Sequence, residues 1–256
     1  VLVSFRSFVF DWSYMLIPLI SFMSNILMLS VGFMISRGKS REERIFYMLE
    51  LSAYNIGNFT LAFVTGLLST AGVVASCLFD MGNSPMSVAI NAVITQIAIG
   101  DMMTHRRALR SLLSVFTRPA FDAYIIMLVF SALPVSLPDR VFEFAGLISP
   151  ANGPLAMIMI GLMLEFKLDK SKLKEVVVVN VLRVLLAVAI AFLFFRFAPF
   201  PYDVRKAVAI TAFAPISSAS PAFVAEMKGD VALVGFASTV SIALALILMP
   251  FLFAFL

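Results

Sequence analysis

The chain has 256 residues, of which 61% are hydrophobic and 13% charged, against about a quarter charged in an ordinary globular domain. With 26 Phe, 15 Met, a single Trp and a mean hydropathy of +1.02, it is too apolar for a disordered chain, a disulfide scaffold or a water-soluble enzyme. The net charge of +4 does not signal nucleic acid, because Lys and Arg sit in short clusters between apolar runs. Those runs predict an all-α integral membrane protein. No ten-residue dyad alternation of a membrane barrel is present, and an open sheet edge does not survive in hydrocarbon.

Residues 1–12 begin with Val1, carry no basic leader with a cleavage site, and are expected to be the remnant of a preceding helix or outer loop. Eight apolar segments follow, near 13–36, 45–66, 68–98, 120–138, 141–166, 173–198, 204–225 and 231–256, lettered A to H. At about 20 residues per crossing, eight spans fit this length. A holds no charge, and the loop after it carries Arg37, Lys39, Arg41 and Arg44. B is interrupted by Tyr54-Asn55-Ile56-Gly57-Asn58-Phe59-Thr60. C holds Cys77, the only cysteine, which reads as a small buried hydrophobe and excludes an internal disulfide or a multi-Cys metal site. C also holds Phe79-Asp80-Met81-Gly82-Asn83-Ser84-Pro85, a polar, helix-weakening patch. After C come His105, expected to be solvated, and Arg106, Arg107, Arg110 and Arg118; after E come Lys167, Lys170, Lys172 and Lys174. F carries Arg183 at depth. G is interrupted by Ala214-Pro215-Ile216-Ser217-Ser218-Ala219-Ser220-Pro221 and followed by Lys228, and H again holds no charge. The other loops carry only Arg6, Arg140, Arg196, Arg205 and Lys206. This bias predicts that A, C, E and G run inward and that the C-terminus lies outside.

Gly is poor in a helix interior, and Pro removes a donor and clashes with the preceding turn, so B and G are both expected to unwind. A–B–C and F–G–H enter the membrane from opposite sides, each with its middle member broken. Matched discontinuous helices in an inverted repeat point to a secondary transporter whose site lies where the breaks meet. The competing reading is close helix packing by Ser, Gly and Asn. Charge at the bilayer centre costs at least about 2.5–3.5 kcal/mol, so Asp80 and Arg183 are expected to face the interior. Asp80 and Asn83 either approach the B break, for substrate or a coupling proton, or serve structure, with Asp80 paired to Arg183 or capping a kink at Pro85. Glu50 is assigned to the interface. Half-helix N-termini with Asn and Ser donors favour a small organic anion. An enzyme is not expected: His105 stands alone, no segment core offers a Ser with a His or Lys base, and Asp80 and Asp101 do not form a facing pair.

With its Asn55-Ile56-Gly57-Asn58-Phe59-Thr60-Leu61 and Ala214-Pro215 to Ser220-Pro221 breaks, and Ala225-Glu226-Met227-Lys228-Gly229-Asp230 leading to Ser238-Thr239 and Pro250, the sequence resembles the auxin efflux carrier family. That family includes the plant PIN proteins and bacterial malate- or malonate-permease-like relatives. The resemblance implies ten helices in two inverted five-helix repeats with crossing broken helices, of which A to H represent the third to the tenth. It implies a transport domain over 13–98 and 173–256, scaffold helices of the second repeat over 120–166, and an elevator-type movement. The first break departs from the family pattern, with Thr60-Leu61-Ala62 where relatives carry a Gly-Leu-Pro-like turn.

The expected protein is a multi-pass carrier of small organic anions in the bacterial cytoplasmic membrane or plasma membrane. Its substrate-binding residues are Asn55, Gly57, Asn58, Asp80, Asn83, Pro215, Ser217, Ser218, Ser220 and Pro221, with Asp80 and Arg183 as an ion-coupling or structural pair and Pro215 and Pro221 breaking the helix. No metal or cofactor is expected. The expected partners are the anion and the bilayer, with a homodimer left open. The alternative is a channel-like or sensory protein on the same fold.

Overall fold

The computed structural model describes residues 2–5, 11–101, 105–132, 137–166 and 170–256, and among these residues the protein is helical without a β-sheet. A short helix α1 (Leu2–Phe5) precedes a 3-10 turn at Trp12–Met15, which Asp11 caps through the Ser13 N–H, and the long helix α2 (Leu16–Ile35). Helix α3 (Arg41–Leu51) starts at a capping box in which Ser40 and Glu43 satisfy each other's backbone N–H. It stops at Leu51. After Ser52–Asn55 the chain resumes as a π-helical turn (Ile56–Thr60) and α4 (Leu61–Val64). Helix α5 (Thr70–Pro85) passes through a second π turn (Met86–Ile90) into α6 (Asn91–Ala98). Pro85 has no N–H for the ladder there, and a widened turn absorbs the lost bond. Then come α7 (His105–Leu113), α8 (Pro119–Ala132), α9 (Asp139–Ile148) and α10 (Asn152–Met163). The last four are α11 (Leu173–Phe197), α12 (Tyr202–Thr211), α13 (Ser220–Glu226) and α14 (Val231–Phe255).

Five helical stretches among the described residues are long and apolar enough to cross a membrane: Trp12–Ile35, Thr70–Ala98, Asp139–Met163, Leu173–Phe197 and Val231–Phe255. These correspond to segments A, C, E, F and H, and they make the chain an all-helical membrane protein. B and G are not continuous spans, because each is split into two short pieces. Segment D differs from its expected single crossing over 120–138. Its helix α8 has 14 residues, about 21 Å at 1.5 Å per residue, and it meets the preceding Ala108–Thr117 at a 63° bend, counting as a sixth span only if the bent pair is taken together. Residues 133–136, Arg6 and Lys167 lie outside the described residues, as does the His105 side chain.

The loops after A, C, E and G gather at one end of the bundle. Arg41 donates to Asp101 Oδ2 at 2.8 Å and to the Met227 carbonyl at 2.8 Å, and Lys172 pairs with Asp230. Burial works to raise the Asp230 carboxyl, but the Lys172 ammonium and the Leu233 N–H outweigh it and hold it below the usual carboxylate range. At the opposite end Gly72 packs under Ala207 and the Asp203 carbonyl, and Arg205 donates to the Phe195 carbonyl at 3.0 Å. B therefore leaves the basic end while G returns to it.

Two glycines set the packing of the first three segments. A Cβ at Gly32 would lie 2.6 Å from the Tyr47 carbonyl oxygen, and one at Gly82 would run into the Pro18 carbonyl. Bare backbone at these points lets α2 lie directly on α3 and α5, which is how membrane helices gain contact without a hydrophobic drive.

Candidate functional site

The two interruptions meet. Tyr54 and Ile216 form an antiparallel bridge, and the Asn55 N–H donates to the Pro215 carbonyl at 2.8 Å. Asn58 Nδ2 donates to Ser218 Oγ at 3.1 Å. The chain is extended here because distant side chains satisfy the groups that a helix would have paired. Asn83, on α5, grips Tyr54 twice: it accepts from the Tyr54 N–H and donates to the Tyr54 carbonyl, both at 2.9 Å. The Ile216 N–H donates to Ser241 Oγ at 3.1 Å, and the Ala219 N–H to Ser217 Oγ at 3.3 Å. Backbone freed at membrane depth requires such partners. Ala53 takes a left-handed φ of 62°, which costs a residue with a Cβ roughly 1–2 kcal/mol, so the surroundings must impose it.

Charge follows the half-helix ends. Arg183, 5% exposed, donates to the carbonyls of Glu50 (3.0 Å) and Leu51 (2.8 Å) at the end of α3, and to that of Ala214 (3.3 Å) just past α12. Its guanidinium also lies 5.4 Å from the centre of the Tyr54 ring. One cation thus serves two negative helix ends. An acidic side chain sits beside each resuming half. A Cβ on Gly57 would come within 3.1 Å of Asp80 Oδ2, tighter than an ordinary contact, so any larger residue would push against the carboxylate. Glu50 accepts a hydrogen bond from the hydroxyl of Ser220, the first residue of α13.

The structure brings most of the sequence-predicted site residues to this crossing and corrects several of their roles. Asn55, Asn58, Pro215, Ser217 and Ser218 lie in or beside the breaks; Asn58 is exposed, whereas Asn55 and Ser217 are buried. Asp80 and Asn83 do approach the B break. The structural Asp80–Arg183 pair does not form: Asp80 accepts from Tyr124 Oη at 2.7 Å and from Asn83 Nδ2 at 3.1 Å, while Arg183 faces carbonyls. Pro221 is not a breaker. It stands in the first turn of α13, where its missing N–H has no intrahelical partner to lose. Glu50 is not at the interface but fully buried at the crossing.

Sequence reasoning also missed Tyr124 and Ser241, and gave Ser238 only as part of the resemblance and not as a site residue. Glu50 carried a usable signal, four residues before Tyr54; Tyr124, in an ordinary apolar run, carried none. Among the described residues, the buried atoms Asn55 Nδ2, Tyr54 Oη, Glu50 Oε2 and Ser238 Oγ have no hydrogen-bond partner. Such orphans are few in a folded protein and mark places where a ligand, water or proton is expected. A cavity of about 20 Å³ beside Arg183, Asn180, Ala214 and Ser241 has room for about one water. No protein-family model, curated protein or solved structure matches the chain.

Proposed function

We propose that the chain is a secondary-type transporter of small organic anions, built as an inverted repeat of the auxin efflux carrier type and working by alternating access. The observation that carries this reading is the antiparallel meeting of two interrupted helices at Asn55 and Pro215, with polar groups gathered at the meeting point. Interrupted helices are costly in lipid, and carriers use them to turn backbone and amide groups toward a solute. On this reading Asn58, Ser218 and the unpartnered amide of Asn55 supply neutral donors to a carboxylate, while Ser217, Ser220, Gly57, Pro215 and Pro221 shape the breaks around it. Asp80 and Asn83 hold the first break open, and Arg183 fixes the half-helix ends.

Helix α10 packs against the Ile56–Thr60 turn and α4, so one of the 120–166 helices lies beside the crossing. An elevator movement of 13–98 with 173–256 past those helices would carry the site between the two sides. The cell membrane is the proposed location.

Counterflow of labelled malate into liposomes containing the full chain tests the reading. Saturable uptake is expected, with Asn58→Ala lowering kcat/KM about fivefold for one lost hydrogen bond of about 1 kcal/mol. Absence of saturable uptake of any carboxylate would refute the carrier and favour a channel-like or sensory protein.

A further inference from the structure

Among the described residues, Glu50 is the acid at the crossing with a free oxygen. It is 0% exposed, its Oε1 accepts from the Ser220 hydroxyl, and its Oε2 has no donor among the described residues. The Ser238 hydroxyl of α14 lies beside the same carboxylate, and its Oγ makes no well-formed hydrogen bond among the described residues. Among the described residues the charged group that faces the carboxylate is Arg183 from α11, whose guanidinium also lies over the Tyr54 ring of the break. Arg183 gives its N–H groups to the Glu50, Leu51 and Ala214 carbonyls, not to the carboxylate. Asp80 offers no such vacancy, since both its oxygens already accept hydrogen bonds.

We propose that Glu50, with Ser220 and Ser238, forms a proton-binding site on the α3–α13 side of the crossing, loaded when Oε2 takes a proton and donates it to Ser238 Oγ. The bound proton satisfies both orphaned oxygens at once. A metal cation fits poorly: one carboxylate and two hydroxyls fall short of the roughly six oxygens that hard divalent cations collect, and a guanidinium stands alongside. The site's existence is independent of transport. Its consequence rests on the carrier reading: Asp80 and Glu50 against Arg183 leave the crossing one negative charge in excess, and loading Glu50 removes that excess. An anion is then admitted together with a proton.

Infrared difference spectroscopy of the full chain in nanodiscs, titrated with pH and without substrate, tests the site. The wild type should show a buried protonated-carboxyl C=O band that appears and disappears with pH. Glu50→Gln, which still accepts from Ser220, should lose the band, Asp80→Asn should keep it, and Ser238→Ala should shift its frequency and midpoint. A band that survives Glu50→Gln, that disappears in Asp80→Asn, or that is unmoved by Ser238→Ala would overturn the proposal. Because no solute is involved, a failed transport assay leaves this result standing, and the converse also holds.

Discussion

Replacing Arg183 by Met is expected to destabilise the protein by about 3–5 kcal/mol, because three buried carbonyls lose a charged donor and Glu50 loses the cation that faces it. Arg183→Lys should recover only part of this. A lysine keeps the charge, but its point-like ammonium lacks the planar fork that reaches the ends of α3 and α12 together. Chemical unfolding in detergent micelles measures both variants. A loss below about 1 kcal/mol for Arg183→Met, within the range of an exposed charge, would mean that the half-helix ends are held by something else.

Asn83→Ala is the second large effect, about 3 kcal/mol. It strands the N–H and C=O of Tyr54 in the bundle and removes a donor from Asp80. Asn83→Asp should be worse than Ala despite its closer shape, since it loses the same two donor bonds and also sets a second carboxylate against Asp80 and the Tyr54 carbonyl. Unfolding midpoints in the order wild type, then Ala, then Asp test the clamp. An Asp variant as stable as wild type would show that the Tyr54 carbonyl does not depend on it.

Much of this architecture is visible in the residues, and what is not has identifiable causes. Charge-free A and H, and the Pro and Ser cluster of G, announce spans and a break by composition alone. The first break is displaced: Gly57 and Asn58 suggest unwinding around themselves, yet the helix stops at Leu51 and the left-handed residue is Ala53. No local propensity places an alanine there; Arg183 and Asn83, far away in sequence, do. The same displacement explains Glu50, which hydropathy sets near the interface and which the early stop of α3 carries to the crossing. Formal charge alone pairs Arg183 with an acid. The guanidinium lies against carbonyls because two helix ends converge there, and converging dipoles leave no trace in composition. Of the candidate site, then, the amide and hydroxyl groups of the breaks were legible, whereas Tyr124, which donates to Asp80, and Ser241, which accepts from the Ile216 N–H, were not.

The crossing requires that the two interruptions meet in the membrane, and one measurement tests this directly. In a Cys77→Ser background, which removes the only native thiol, Asn58→Cys and Ser218→Cys are combined in the full chain and treated in native membranes with the shortest bis-thiosulfonate linker. The side chains they replace are hydrogen-bonded at 3.1 Å, so digestion should yield a covalently joined pair of peptides from the two breaks. Two cysteines that each react singly with the reagent but are never recovered as a joined pair would contradict the crossing and the function proposed from it.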